Sequence, residues 1–223
     1  MKAKTLLLGA AVFAAAITAS FGQTVYSVNA VGYVNLTLCS GYNLICNPVN
    51  GTNNNLNTIM PIAPDGTVIL RWNCAAQSFF QAETYFGGLW YNSDFVVTST
   101  AIPPGEGFFL QNNSGASATF TFVGEVPQGR LTNQICGNYG FYGSQVPQSG
   151  PLPALGFPAV DGMTYNRWNC ASQSYEQAYT FFGGSWYDSG FNPSDPVPAV
   201  GEAFLVTNPG APLYWTRTFS VNN

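Results

Sequence analysis

Residues 65–91 read DGTVILRWNCAAQSFFQAETYFGGLWY, and residues 161–187 read DGMTYNRWNCASQSYEQAYTFFGGSWY. At a fixed offset of 96, 17 of these 27 positions are identical. Agreement of that kind over a contiguous stretch means internal duplication, and the period implies a unit of about 97 residues. The likeness extends outward from this stretch. Gly105-Glu106-Gly107-Phe108-Phe109-Leu110 corresponds to Gly201-Glu202-Ala203-Phe204-Leu205-Val206, while Cys39 and Val49 correspond to Cys136 and Val146 at offset 97. Tyr26-Ser27-Val28-Asn29 resembles Phe219-Ser220-Val221-Asn222, and Thr121-Phe122-Val123-Gly124 holds the matching place at the end of the first copy. The segment ahead of copy one therefore reads like the end of a copy. Its strand either closes against the last strand within the molecule or pairs head to tail with the next molecule; closure within the chain is the expectation.

The pattern inside each copy is β. Val25–Leu38, Val68–Trp72, Phe108–Gln111 and Ala118–Val123 are short runs rich in Val, Ile, Thr, Phe and Tyr. Pro64-Asp65-Gly66, Pro103-Pro104-Gly105, Asn112-Asn113-Ser114-Gly115 and Asp161-Gly162 punctuate them as turns. Many short strands at close spacing predict an all-β chain of two tandem or mutually packed β-sandwich or barrel-like repeats. Ala75–Phe86 suits a short helix, but its copy Ala171–Phe182 carries Tyr175, Tyr179, Phe181 and Phe182 and suits a strand better.

The first 22 residues read as an export signal. Lys2 and Lys4 precede an apolar run from Leu6 to Ala19, and the small residues Ser20 and Gly22 flank Phe21 at cleavage-site spacing. The run is shorter than the ~20 residues a membrane-spanning helix needs. The expected organisation is a signal peptide at 1–22, β repeat 1 at 23–126 and β repeat 2 at 127–223. The mature protein is then secreted, extracellular or at the cell surface, with no membrane span after cleavage.

Charge narrows the choice of partner. Only 7% of residues are charged, and both lysines lie in the signal segment. The mature chain keeps four arginines (Arg71, Arg130, Arg167, Arg217) against ten carboxylates, a net charge of −6. Such a surface cannot neutralise a phosphate backbone, which excludes nucleic acid as a partner. Lysine commonly guards exposed sheet edges against unwanted pairing. Its absence fits edges covered by loops, or an edge meant to pair with another copy of the chain.

The chain has no histidine, which removes Ser-His-Asp and Cys-His catalysis and histidine-bound metal or haem. What remains for an enzyme is a carboxylate pair of the glycosidase kind, with Glu106 and Glu202 as candidates. These are equivalent positions in separate copies, and each has an arginine of its own copy available, Arg71 and Arg167 respectively. Structural ion pairs are the better reading. Asp65 and Asp161 precede glycine and read as turn residues. No acidic stretch matches a calcium loop. The expectation is no enzyme, no cofactor and no metal.

Export permits disulfides among the five cysteines. Cys39 matches Cys136 and Cys74 matches Cys170, so the symmetric solution Cys39–Cys74 and Cys136–Cys170 is the expectation, although sequence does not fix connectivity. Cys46 aligns with Gly143 and reads as a buried thiol, an intermolecular disulfide being the alternative. Trp90-Tyr91 and Trp186-Tyr187 follow paired glycines in the densest aromatic clusters. They fill two cores or, as the functional alternative, stack on sugar rings.

Gly41-Tyr42-Asn43-Leu44-Ile45-Cys46-Asn47-Pro48, Arg71-Trp72-Asn73 and Pro104-Gly105-Glu106-Gly107-Phe108-Phe109 resemble a β module of exported bacterial proteins. Asn29-Ala30-Val31-Gly32-Tyr33-Val34-Asn35 is similar to the start of secreted two-repeat proteins of Verrucomicrobia-like bacteria. Copy two departs from the first motif, with Asn138-Tyr139-Gly140-Phe141 in place of Gly-Tyr-Asn-Leu. The resemblance implies export and β architecture and carries no catalytic residue. Together these readings point to a non-catalytic extracellular structural or adhesive protein, self-associating through an edge strand. A carbohydrate-binding module using Trp90, Tyr91, Trp186 and Tyr187 on extracellular polysaccharide is the alternative, and a glycoside hydrolase comes last.

Overall fold

The computed structural model describes residues 31–221. The signal peptide expected at residues 1–22, the segment 23–30 and the last two residues lie outside the described residues. Repeat 1 contains β1 (Val31–Leu38), β2 (Gly41–Cys46), a single helical turn α1 (Leu56–Ile59), β3 (Val68–Asn73), β4 (Ser78–Phe79), β5 (Glu83–Phe86), β6 (Leu89–Tyr91), β7 (Gly107–Asn112) and β8 (Ala118–Glu125). Repeat 2 contains β9 (Gly129–Ile135), β10 (Asn138–Gly143), β11 (Thr164–Asn169), β12 (Ser174–Tyr175), β13 (Tyr179–Phe182), β14 (Ser185–Tyr187), β15 (Ala203–Asn208) and β16 (Leu213–Phe219). Among the described residues no helix is long and apolar enough to cross a membrane.

The two repeats share one topology. In repeat 1 a sheet runs β2-β7-β3-β5-β6 with β4 beside β3, and a separate two-stranded sheet pairs β1 with β8. Repeat 2 has β10-β15-β11-β13-β14 with β12 beside β11, and β9 paired with β16. The opening strand thus closes within the chain, but against the end of its own repeat and not against the last strand of the molecule. The segment Ala75–Phe86 is a turn followed by β4 and β5, so the helical option fails. The reason is Phe79, whose strand pairs with Trp72 and whose ring packs on it at 5.0 Å.

The larger sheets are buried on both faces. Alternation along β2 and β7 sorts the side chains: Ile45, Phe108 and Leu110 enter the core beneath β1–β8, which Trp90, Phe120 and Phe122 complete. Leu44, Cys46 and Phe109 point the other way and meet Phe141 and Ala203 of repeat 2. Tyr142, Tyr165, Phe204, Val206, Trp186 and Trp215 form the matching core of repeat 2. The molecule is therefore four layers deep: small sheet, large sheet, large sheet, small sheet. Continuous apolar runs such as Leu44-Ile45-Cys46 and Phe108-Phe109-Leu110 follow from this double burial.

The tight hairpins are set by glycine. Gly87-Gly88 (φ +57° and +90°) and Gly183-Gly184 (φ +57° and +85°) supply two successive positive φ values, the geometry that joins adjacent strands with matched twist. Asp65 and Asp161 sit in turns as expected, and each carboxylate also accepts the N–H of the first glycine, Gly87 at 2.9 Å and Gly183 at 3.0 Å.

Candidate functional site at the repeat interface

The two large sheets meet through contacts that recur in pairs. Trp72 Nε1 donates to the Tyr139 carbonyl at 2.9 Å, and its counterpart Trp168 Nε1 donates to the Tyr42 carbonyl at 2.8 Å. The Gln77 amide brackets the backbone of Tyr139, accepting from its N–H at 2.9 Å and donating to its carbonyl at 3.2 Å. Gln173 does the same to Tyr42 at 2.7 and 3.0 Å. Both glutamines sit at φ +50° in identical turns. Cys46 N–H donates to the Gly201 carbonyl, and Gly143 N–H to the Gly105 carbonyl. Residue i touching j while the copy of j touches the copy of i is the mark of an isologous interface, here within one chain.

The disulfides obey the same operator. They join Cys39 to Cys170 and Cys74 to Cys136, so both cross between repeats. The pairings Cys39–Cys74 and Cys136–Cys170 are wrong. Both solutions respect the duplication, and face-to-face packing of the sheets decides between them. It carries the turn after β3 away from its own repeat and onto the corner between β9 and β10. Cα separations of 5.9 and 5.7 Å suit the bonds. Cys46 is a buried free thiol, contacting the carbonyls of Ser144 and Glu202. Burial pushes its pKa up, with the Glu202 charge adding to the effect.

Of the aromatic candidates, Trp90 and Trp186 are core residues, 0% and 1% exposed. Trp90 Nε1 donates to the Met60 carbonyl at 2.9 Å. Neither indole can stack on a sugar: both tryptophans fill the cores, as the first of the two readings had it, and the sugar-stacking alternative fails for them. Tyr91 and Tyr187 are half-buried; each packs against an exposed phenylalanine of the following turn, Phe95 at 5.4 Å and Phe191 at 5.9 Å.

The ion pairs form as read. Arg71 Nε donates to Glu106 Oε1 at 2.7 Å and Arg167 Nε to Glu202 Oε1 at 2.6 Å. Each carboxylate is held by the arginine of its own repeat. Burial raises the Glu106 pKa, and Arg71 opposes that rise through its hydrogen bond and its charge.

Arg71 and Glu106 line a cleft of about 520 Å³ between the repeats. Trp72, Phe80, Phe141 and Tyr142 form its apolar walls; Asn73, Thr132, Asn133 and Gln134 add polar groups. Tyr142 is pushed up to about 12 by burial and accepts from the Cys136 N–H at 2.6 Å. The symmetry-related cleft, beside Trp168, Cys170 and Glu202, is smaller at about 280 Å³. A shallow apolar groove of about 210 Å³ on Tyr42, Leu70, Phe79, Phe109 and Trp168 lies between the repeats.

Sequence reasoning passed over Trp72, Trp168, Gln77 and Gln173 as interface residues. Their signal was present: Arg-Trp-Asn-Cys and the Gln four residues beyond each Asn are identical in both copies. No protein-family model, curated protein or solved structure matches this chain.

Proposed function

We propose that the mature chain is an exported, non-catalytic adhesive protein, a rigid disulfide-locked body that presents two equivalent apolar contact points. One observation carries this reading. Phe95 and Phe191, equivalent residues 96 apart, are 71% and 76% exposed and stand at φ +60° and +62°. A bulky residue in the left-handed region costs on the order of 1–2 kcal/mol and buries little here in return. Each ring is held against a half-buried tyrosine of the preceding strand, Tyr91 or Tyr187, and still leaves most of its surface in solvent, where contact with another surface would cover it. Val96 and Val97, which follow Phe95 directly, are exposed as well, and so are Phe86 and Phe182 at the tips of the adjoining hairpins. Both patches lie by β6 and β14, the sheet edges farthest from the interface strands β2 and β10. Two separated contacts on one rigid body suit multivalent attachment to cells or extracellular polysaccharide. Two crossing disulfides fit an oxidising compartment.

The test is retention of the mature protein on bacterial cells, cellulose and chitin. Phe95→Asn or Phe191→Asn alone lowers apparent affinity by about tenfold or more, and the double variant abolishes retention. Asparagine tolerates positive φ, so the turn is kept. Undiminished retention of the double variant defeats the reading.

Self-association is the second reading. Among the described residues β1 has one ladder partner, β8, and on it Val31 and Tyr33 are exposed with no lysine to guard the edge. A mature protein that stays monomeric at millimolar concentration counts against it.

A further inference from the structure

The two ion pairs are equivalent by duplication but not in their surroundings. In repeat 2 the pair is tied to backbone: Arg167 Nη2 donates to the Val197 carbonyl at 2.6 Å, and Glu202 Oε2 accepts the Ala199 N–H at 2.7 Å. In repeat 1 the residue matching Ala199 is Pro103, which has no N–H to give. Among the described residues Arg71 is hydrogen-bonded through Nε alone, and its guanidinium lies over the Phe80 ring at 5.5 Å. Glu106 Oε2 and the Arg71 Nη groups are thus left facing the 520 Å³ cleft.

The neighbours differ in the same sense. Leu36 lies against Gly201 beside the smaller cleft; its counterpart Asn133 lies against Gly105 and lines the larger one. One copy has narrowed its cleft with hydrocarbon and used backbone to hold its ion pair, and the other keeps a wider polar floor under aromatic walls. The size falls within the ~300–1,000 Å³ typical of small-molecule sites.

From this asymmetry we propose that the repeat 1 cleft binds a neutral saccharide, with Arg71 and Glu106 contacting adjacent hydroxyls and Trp72 and Phe80 contacting the C–H face of a ring. The pair carries no net charge, so an anionic ligand meets Glu106 and a cationic one meets Arg71. A neutral ligand that both donates and accepts on neighbouring atoms satisfies the two ends together, and a vicinal diol does so. The site is separate from the Phe95 and Phe191 patches and stands or falls independently of the adhesive reading.

The mature protein, titrated with cellobiose, maltose, xylobiose, chitobiose and digalacturonic acid and followed by tryptophan fluorescence and calorimetry, tests this. At least one neutral disaccharide binds with Kd near or below about 1 mM. Glu106→Gln weakens that binding about tenfold. Pro103→Ala, which places at 103 the alanine that position 199 already accepts, restores a backbone N–H to Glu106 and weakens binding likewise. Glu202→Gln and the double Phe95→Asn/Phe191→Asn variant leave it unchanged. Binding of digalacturonic acid alone, no binding of any neutral disaccharide, or binding indifferent to both Glu106→Gln and Pro103→Ala overturns the proposal.

Discussion

Cys46 Sγ lies 2.2 Å from the point where a β-carbon on Gly143 would stand. The two residues are equivalent by duplication, so this is a position meeting its own copy across the pseudo-two-fold axis. Gly107 and its equivalent Ala203 meet the same way, with 2.9 Å between a β-carbon built on the glycine and that of the alanine. Only one member of each couple has room for a larger side chain. Gly143→Ala is therefore expected to destabilise by about 1–3 kcal/mol through overpacking. The exchange Cys46→Gly with Gly143→Cys restores the volume and recovers most of the loss. Chemical denaturation of the three proteins gives the comparison.

Burial also makes the Cys46 thiol inert. Its raised pKa means that thiolate, the reactive form, is scarce at neutral pH. The native protein is expected to show no reaction with a thiol-specific disulfide reagent, and one thiol per chain after unfolding without reductant. A reactive thiol in the native protein contradicts the packing described.

The crossed disulfides predict what a cut chain does. A protease site placed between Val126 and Gly129 separates the repeats in sequence but not in covalent structure. The nicked protein runs as one species without reductant and as two with it. The bonds span sequence separations of 131 and 62 residues, for which loop-closure entropy gives about 4–5 kcal/mol each. Pairing within repeats would give two fragments without reduction.

For Trp90 the expectation is the loss of a core residue. Trp90→Ala costs about 3–5 kcal/mol. Trp90→Phe keeps much of the volume but leaves the Met60 carbonyl without its donor, at about 1 kcal/mol. Thermal unfolding separates the two, and a substitution without effect on stability would place the indole at the surface.

Glu106 gives a pH dependence of definite sign. Its folded pKa is raised above 4.5, so the folded state binds this proton more tightly than the unfolded chain. The stabilisation is fully present below the ordinary value and is lost as pH rises through the folded pKa. Wild type minus Glu106→Gln stability therefore falls over the interval that begins at the ordinary carboxylate value and ends above the folded pKa. A rise over that interval would mean that the Arg71 attraction outweighs burial.

Much of the architecture could be read directly from residues. The 65–91 and 161–187 match announces two units, the glycine pairs announce the hairpins, and Arg71 with Glu106 announces an ion pair, because each of these is a local or repeated pattern. What escaped depends on how the units face each other. Cys39 is equally entitled to Cys74 or Cys170 until the sheets are stacked, and Trp72 looks like any core tryptophan until its indole is seen reaching Tyr139 of the other repeat. The helical turn Leu56–Ile59 is too short for periodicity to reveal; its cue is Asn55, whose side chain accepts the Asn57 N–H.

The bond between Cys39 and Cys170 also fixes how the molecule answers tension. A pull applied near residue 31 and near residue 221 reaches this link after a few residues on one side and about 50 on the other. The intervening 131 residues, roughly 450 Å of contour if drawn out, are shunted from the load path. A body built this way can lengthen only by its outer segments, while the stacked sheets between them keep their shape under strain.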